Sequence, residues 1–97
     1  MAITVIARIN VKEGKMPEAI SVLKEIVQKI RQSEPGCLQY IPHVVSGSKN
    51  KNKILFYEKY ADKEAFDNHN KNLKANMVKL NPLLEPGLEI DVCSEIL

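Results

Sequence analysis

Cysteine is scarce in this sequence and poorly placed for chemistry. Cys37 and Cys93 are the only two in 97 residues, far apart and without CxxC or any other metal-ligand spacing. That argues against a disulfide framework or a clustered metal site and predicts two reduced, partly buried thiols. Apolar runs long enough to cross a bilayer are missing too. The N-terminal stretch MAITVIARIN is interrupted by Arg8 and has neither the basic start nor the small-residue cleavage site of a secretory signal. The expectation is a cytoplasmic protein with no membrane partner. Charge of one sign is lacking as well: fourteen Lys and Arg against twelve Asp and Glu leave a formal +2, short of the basic excess of a phosphate-backbone binder. The motifs GxGxxG, GxxxxGK[ST], GxSxG and HExxH do not occur, which disfavours a dinucleotide or metal enzyme.

What is present is ordinary globular composition, 44% hydrophobic and 27% charged, in a length that fits one domain over residues 1–97. ITVIARINV (3–11) is rich in β-branched residues and reads as a first strand. It places Ile3, Val5, Ala7 and Ile9 on one face and Thr4, Ile6, Arg8 and Asn10 on the other. From Met16 to Ile30 apolar residues recur at helical spacing, with Pro17 suited to the first turn. EPGC (34–37) punctuates the end of that helix. CLQYIPHVV reads as a second strand, with Pro42 marking a bulge or an edge. SGSKNKNK, with Lys49, Lys51 and Lys53, reads as a solvated hairpin loop rather than a binding patch. KILFYEKY (53–60) is a third strand whose residues Ile54, Phe56, Glu58 and Tyr60 share one face. Asp62 is a natural N-cap for a second helix, with Glu64 in its first turn. Its buried stripe is Phe66, His69, Leu73, Met77 and Leu80, and Pro82 stops it. LEIDVCSEI (88–96) alternates as a fourth strand.

The order β-α-β-β-α-β predicts an α+β, ferredoxin-like sandwich, an antiparallel sheet with two helices on one face. Its other face would be bare, and Ile6, Leu55 and Tyr57 are too apolar to meet water as a continuous patch. Two copies are therefore expected to pair through their sheets as a homodimer.

VIARINVKEGK, SEPGCLQY and FYEKYADKEAFDNH, in this order and spacing, resemble nearly end to end the antibiotic-biosynthesis monooxygenase (ABM) family, quinol monooxygenase-like proteins that form dimeric α/β barrels. The resemblance implies the sandwich derived above, sheet-to-sheet pairing, and a pocket between sheet and helices in each subunit. Several members oxygenate or rearrange small polar or aromatic molecules without flavin, haem or metal, so no cofactor is expected, and the partners implied are a small-molecule substrate and molecular oxygen. The family's frequent second-helix histidine falls on His69, its third-strand acidic residue on Glu58, and its His or Tyr late in the second strand on His43. Tyr60 stands where many relatives have Trp, and Lys74 or a neighbour where many have a second histidine. With no Trp and no His after residue 69, the chain does not match the haem-degrading branch.

A histidine on an apolar stripe is commonly a packed, hydrogen-bonded core residue. Glu58 and Tyr60, however, share the strand face that meets the helices, so a carboxylate and a phenol converge on His69, which can accept a proton near neutral pH. Glu58 needs a buried partner, which Arg8, a backbone N–H or His69 could supply; paired with His69, it would fix the imidazole tautomer. Phe56, Phe66 and Tyr60 are candidate pocket walls. His43 lies beside the irregularity expected at Pro42. Asn10, Asn68 and Asn76 are candidate hydrogen-bonding groups for a substrate carbonyl. Cys37 is expected to pack as a small hydrophobe. Three readings follow: a cofactor-independent monooxygenase of a small hydroxylated aromatic, an isomerase of a small phosphorylated sugar-like ketone marked by Arg8 or Lys74 pointing inward, and a non-catalytic binding or stress module.

Overall fold

A computed structural model describes residues 2–96. Its main elements are β1 (Ile3–Asn10), α1 (Met16–Ser33), β2 (Cys37–Val44), β3 (Lys53–Tyr60), α2 (Lys63–Asn76) and β4 (Glu89–Cys93). Short 3-10 turns stand at Ser48–Asn50 and Asn81–Leu83. The strands form one antiparallel sheet in the order β2-β3-β1-β4, the ferredoxin-like arrangement that the element order predicts. The sheet is open in the single chain, with β2 and β4 as its edges.

Strand parity decides what is buried. Val5, Ala7 and Ile9 of β1 stand opposite Glu58, Phe56 and Ile54 of β3, and all six are buried beneath the helices. Helix α1 supplies Ala19, Leu23, Ile26, Val27 and Ile30 to the same core, each large aliphatic contributing about 1.5–3 kcal/mol relative to exposure. On the opposite face Ile6, Leu55 and Tyr57 are half-buried, and the ion pairs Arg8–Asp91 and Lys59–Glu95 lie on the same side. The helices do not cover β4, whose inward-parity residues Ile90 and Val92 keep 48% and 58% of their surface exposed.

Several boundaries differ from expectation for physical reasons. Helix α1 continues past Ile30 to Ser33, so that Glu34 becomes its C-cap, its N–H bonded to the Ile30 carbonyl at 2.9 Å. Helix α2 stops at Asn76 rather than near Pro82. The chain then folds through Leu80 N–H to Met77 O and Leu83 N–H to Leu80 O turns, which drop Leu80 and Leu83 into the core. Asp62 caps α2 as expected, accepting the Ala65 N–H at 2.8 Å. Pro42 does sit on an edge strand, opposite Phe56, but the irregularity in the ladder falls between Cys37 and Gln39. Both thiols are free; Cys37 is half-buried and Cys93, expected to be partly buried, is exposed because it stands opposite Thr4 on the sheet face turned away from the helices. Lys51 of the hairpin loop pairs with Glu13 at 2.9 Å on the surface. No helix among the described residues is long and apolar enough to cross a membrane.

Candidate active site

Helix α2 presents His69 to the sheet one turn after Phe66, and the histidine is only 2% exposed. Burial of an imidazole requires partners, and they come from three other elements. From the end of α1, the Glu34 carboxyl oxygen Oε1 lies 2.9 Å from Nδ1. From β3, Glu58 Oε1 lies 3.8 Å from Nε2. The rings of Tyr40 on β2 and Tyr60 on β3 flank the imidazole at 5.3 and 5.1 Å between centroids. Tyr60 is itself fully buried and donates its hydroxyl proton to Glu58 Oε1 at 2.6 Å. Donor and acceptor roles on the ring depend on its tautomer: the contact with Glu34 suits a proton on Nδ1, the tautomer in which Nε2 keeps its lone pair.

The turn that carries Glu34 is held by a backbone bond just before α2 and packs against the first turn of that helix. Gly36 O accepts the Ala61 N–H at 2.9 Å, and a Cβ on Gly36 would come within 2.5 Å of the Ala65 Cβ. Only a residue without a side chain lets the turn approach this closely.

Beside the cluster lies a small cavity of about 60 Å³, walled by Phe56, Phe66, Leu73 and Met77, with Glu58 and His69 as its acid–base groups. Leu88 and Ile90 also contribute to the wall. No Lys or Arg lines it. Arg8 is on the far face, paired with Asp91, and Lys74 is exposed.

Burial raises the Glu58 carboxyl above the usual carboxylate range, and the nearby Glu34 adds to this; the Tyr60 hydrogen bond and His69 oppose it. Burial and then Glu58 hold the phenols of Tyr40 and Tyr60 well above their ordinary value. Burial, with Glu34 and Glu58 adding, pushes the Cys37 thiol up to about 11, so it stays protonated. Cys37 packs against the core, as expected of a small hydrophobe.

The structure thus brings together His69, Glu58, Tyr60, Phe56 and Phe66. Tyr60 stands behind Glu58 rather than in the cavity wall. Asn10 and His43 are not part of this cluster. Asn10 lies on the opposite face of β1 by parity, and His43 pairs with Leu55 on that same face, at the rim of a separate groove of about 580 Å³ between α1 and β2. Glu58 has a partner, but it is Tyr60 and not Arg8. The carboxylate that bonds His69 is Glu34, which sequence reading took for turn punctuation. Its spacing was a usable signal, because Glu34 continues the buried series Leu23, Val27, Ile30 at steps of four, three and four. Tyr40 was also missed, although it stands directly across from Glu58 in the ladder.

Comparison with known proteins agrees with this architecture. Similar solved structures include a Caulobacter crescentus protein provisionally described as an antibiotic biosynthesis monooxygenase, 24% identical, covering 98% of this chain and 90% of that one with a TM-score of 0.85. A conserved protein from Methanosarcina mazei is 24% identical over 96% of this chain and 91% of its own, with a TM-score of 0.80. A Shewanella oneidensis protein is 26% identical over 95% and 88%, with a TM-score of 0.77. Among curated protein sequences, none matches the chain. The antibiotic biosynthesis monooxygenase family model matches residues 2–75, a span that includes β1 through nearly all of α2 and every member of the His69 cluster, and the chain belongs to that family.

Proposed function

We propose that the protein is a cofactor-independent monooxygenase of a small hydroxylated aromatic, a quinol or close analogue, working as a homodimer paired through the outer sheet face. The observation that carries this reading is the cavity in which the His69 imidazole and one carboxyl group, Glu58, meet walls that are apolar apart from Tyr40 and Asn70. Such a lining suits an aromatic ring with a hydroxyl. The absence of Lys and Arg from it weighs against a phosphorylated ketone, and the cavity itself weighs against a purely structural histidine.

Nε2 takes a phenolic proton. The resulting electron-rich anion passes an electron to oxygen, and the radical pair closes a carbon–oxygen bond at a ring C–H position. The imidazolium returns its proton to the distal oxygen, and loss of water leaves a carbonyl. A 1,4-dihydroxybenzene plus O₂ thus becomes a hydroxyquinone plus water, with all four electrons supplied by the substrate. Glu58, bonded to Tyr60, receives or lends a proton beside the reacting oxygen. The cavity is smaller than the roughly 150 Å³ that an engineered site needs to hold benzene. A quinol therefore enters by displacing wall side chains, and Leu88, 60% exposed, and Ile90 stand where they can move.

The test is oxygen consumption over a panel of quinols. His69→Ala should lower turnover by about 10²-fold or more, the usual worth of a general base. Equal turnover in both proteins would remove His69 from the mechanism.

A further inference from the structure

Resting on that reading of His69 as a base, we propose that Glu34 is its positioning residue: the carboxylate at the end of α1 holds the proton on Nδ1 and so directs the free lone pair of Nε2 into the cavity.

Geometry separates the two carboxylates that flank the ring. Glu34 Oε1 is within hydrogen-bond reach of Nδ1 at 2.9 Å, whereas Glu58 Oε1 is outside that reach of Nε2 at 3.8 Å and already accepts from Tyr60 at 2.6 Å. Glu34 does not line the cavity, so it acts only through the imidazole. Its own environment points the same way. The residue is 2% exposed, and its Oε2 is buried without a hydrogen-bond partner. The bond from His69 is then the one side-chain hydrogen bond this carboxylate receives among the described residues. A buried carboxylate with a single donor depends strongly on that donor. The other ionisable groups of the cluster are Glu58 and Tyr60 from β3, Tyr40 from β2 and the Cys37 thiol at the start of β2, which donates to the Gln39 carbonyl, while the facing β1 positions Val5 and Ala7 are apolar. None of them competes for Nδ1.

The chain has two histidines, and His43 is exposed, so imidazole nitrogen NMR reads His69 with little overlap, and a His43→Ala sample fixes the assignment. In the wild type, at a pH where His69 is neutral, the expected spectrum is that of the Nδ1–H tautomer. Glu34→Gln keeps the shape but replaces the acceptor-only group by one that can also donate, so the spectrum should become mixed or change to Nε2–H. With a quinol that the wild type oxidises, Glu34→Gln should lower kcat by about a hundredfold while KM stays within about threefold. A wild-type Nε2–H tautomer would overturn the proposal, as would a Glu34→Gln protein with unchanged tautomer and unchanged kcat. If Glu34→Gln does not fold, the wild-type spectrum still decides. If no quinol is turned over, the monooxygenase reading fails separately, because the tautomer is measured without substrate.

Discussion

Helix α1 buries Ala19, Leu23, Ile26, Val27 and Ile30, all apolar, whereas the buried residues of α2 are His69 and Asn76. The two helices cover the same sheet, yet one sits on hydrocarbon and the other on a network of carboxylates, phenols and an imidazole. The α1 half gains free energy from simple removal of apolar area from water. The α2 half adds the partly buried Ala65, Phe66 and Met77 to the core, but it also depends on each buried polar atom finding a partner. A domain of this size is stable by only some 5–15 kcal/mol, so a polar layer of this kind survives because the apolar half carries it. The difference assigns stability mainly to α1 and chemistry to α2.

The strongest challenge to that division is Leu23→Ala. Leu23 is 3% exposed and absent from the lining of the His69 cavity. The substitution should cost about 2–5 kcal/mol, lowering the melting temperature by some 10 °C or more in a domain of this length. Turnover per folded molecule should stay close to wild type. A thermal melt paired with an activity assay checks both halves, and a large loss of specific activity would show that the halves are not separable.

A smaller effect, of opposite sign, is expected from Glu58→Gln. Burial raises the Glu58 carboxyl above its ordinary value of 4.5. Below that value the group is protonated in folded and unfolded chains alike. As pH rises from there through the raised folded value, the unfolded chain ionises first, and the wild type loses stability. A neutral glutamine can still accept from Tyr60 and avoids this loss. Melting curves should therefore nearly coincide around pH 4 and separate in favour of Glu58→Gln by pH 7 to 8. A variant less stable than wild type at pH 8 would mean that ionised Glu58 is a net stabilising member of the cluster.

The smallest of the three is Asp62→Ala, which removes the side chain that accepts the Ala65 N–H. A lost N-cap costs about 1 kcal/mol. Because it loosens the first turn of α2, hydrogen exchange should quicken there before it changes in α1. Uniform acceleration across both helices would indicate that the two regions open as one unit.

The apolar half was nearly all legible in the sequence, since period-two alternation in β1 and β3 and helical spacing from Met16 onward each identify a buried face without reference to anything distant. Half of the candidate site was legible for the same reason: parity alone places Phe56, Glu58 and Tyr60 under the helices. What escaped depended on contacts between residues far apart in the chain. Glu34 and His69 are 35 positions apart, and although the spacing of Glu34 continues the buried stripe of α1, nothing in that spacing names the residue it meets. Asn10 and His43 lie outside this cluster for a different reason: Asn10 is on the outer face by the parity of β1, and His43, singled out by the family resemblance and its neighbour Pro42, stands across from Leu55 on that same side.

The close approach at Gly36 gives the cluster a dimension that no member of the cluster sets. The Gly36 backbone packs against the Ala65 methyl group so closely that a Cβ would not fit between them, one chain leading back two residues to the carboxylate, the other forward four residues to the imidazole. The spacing between acid and base is thus gauged by a missing methyl group at Gly36. A site built this way is calibrated outside its own chemistry, so variation within the cluster can change reactivity while the gauge that holds its parts together stays the same.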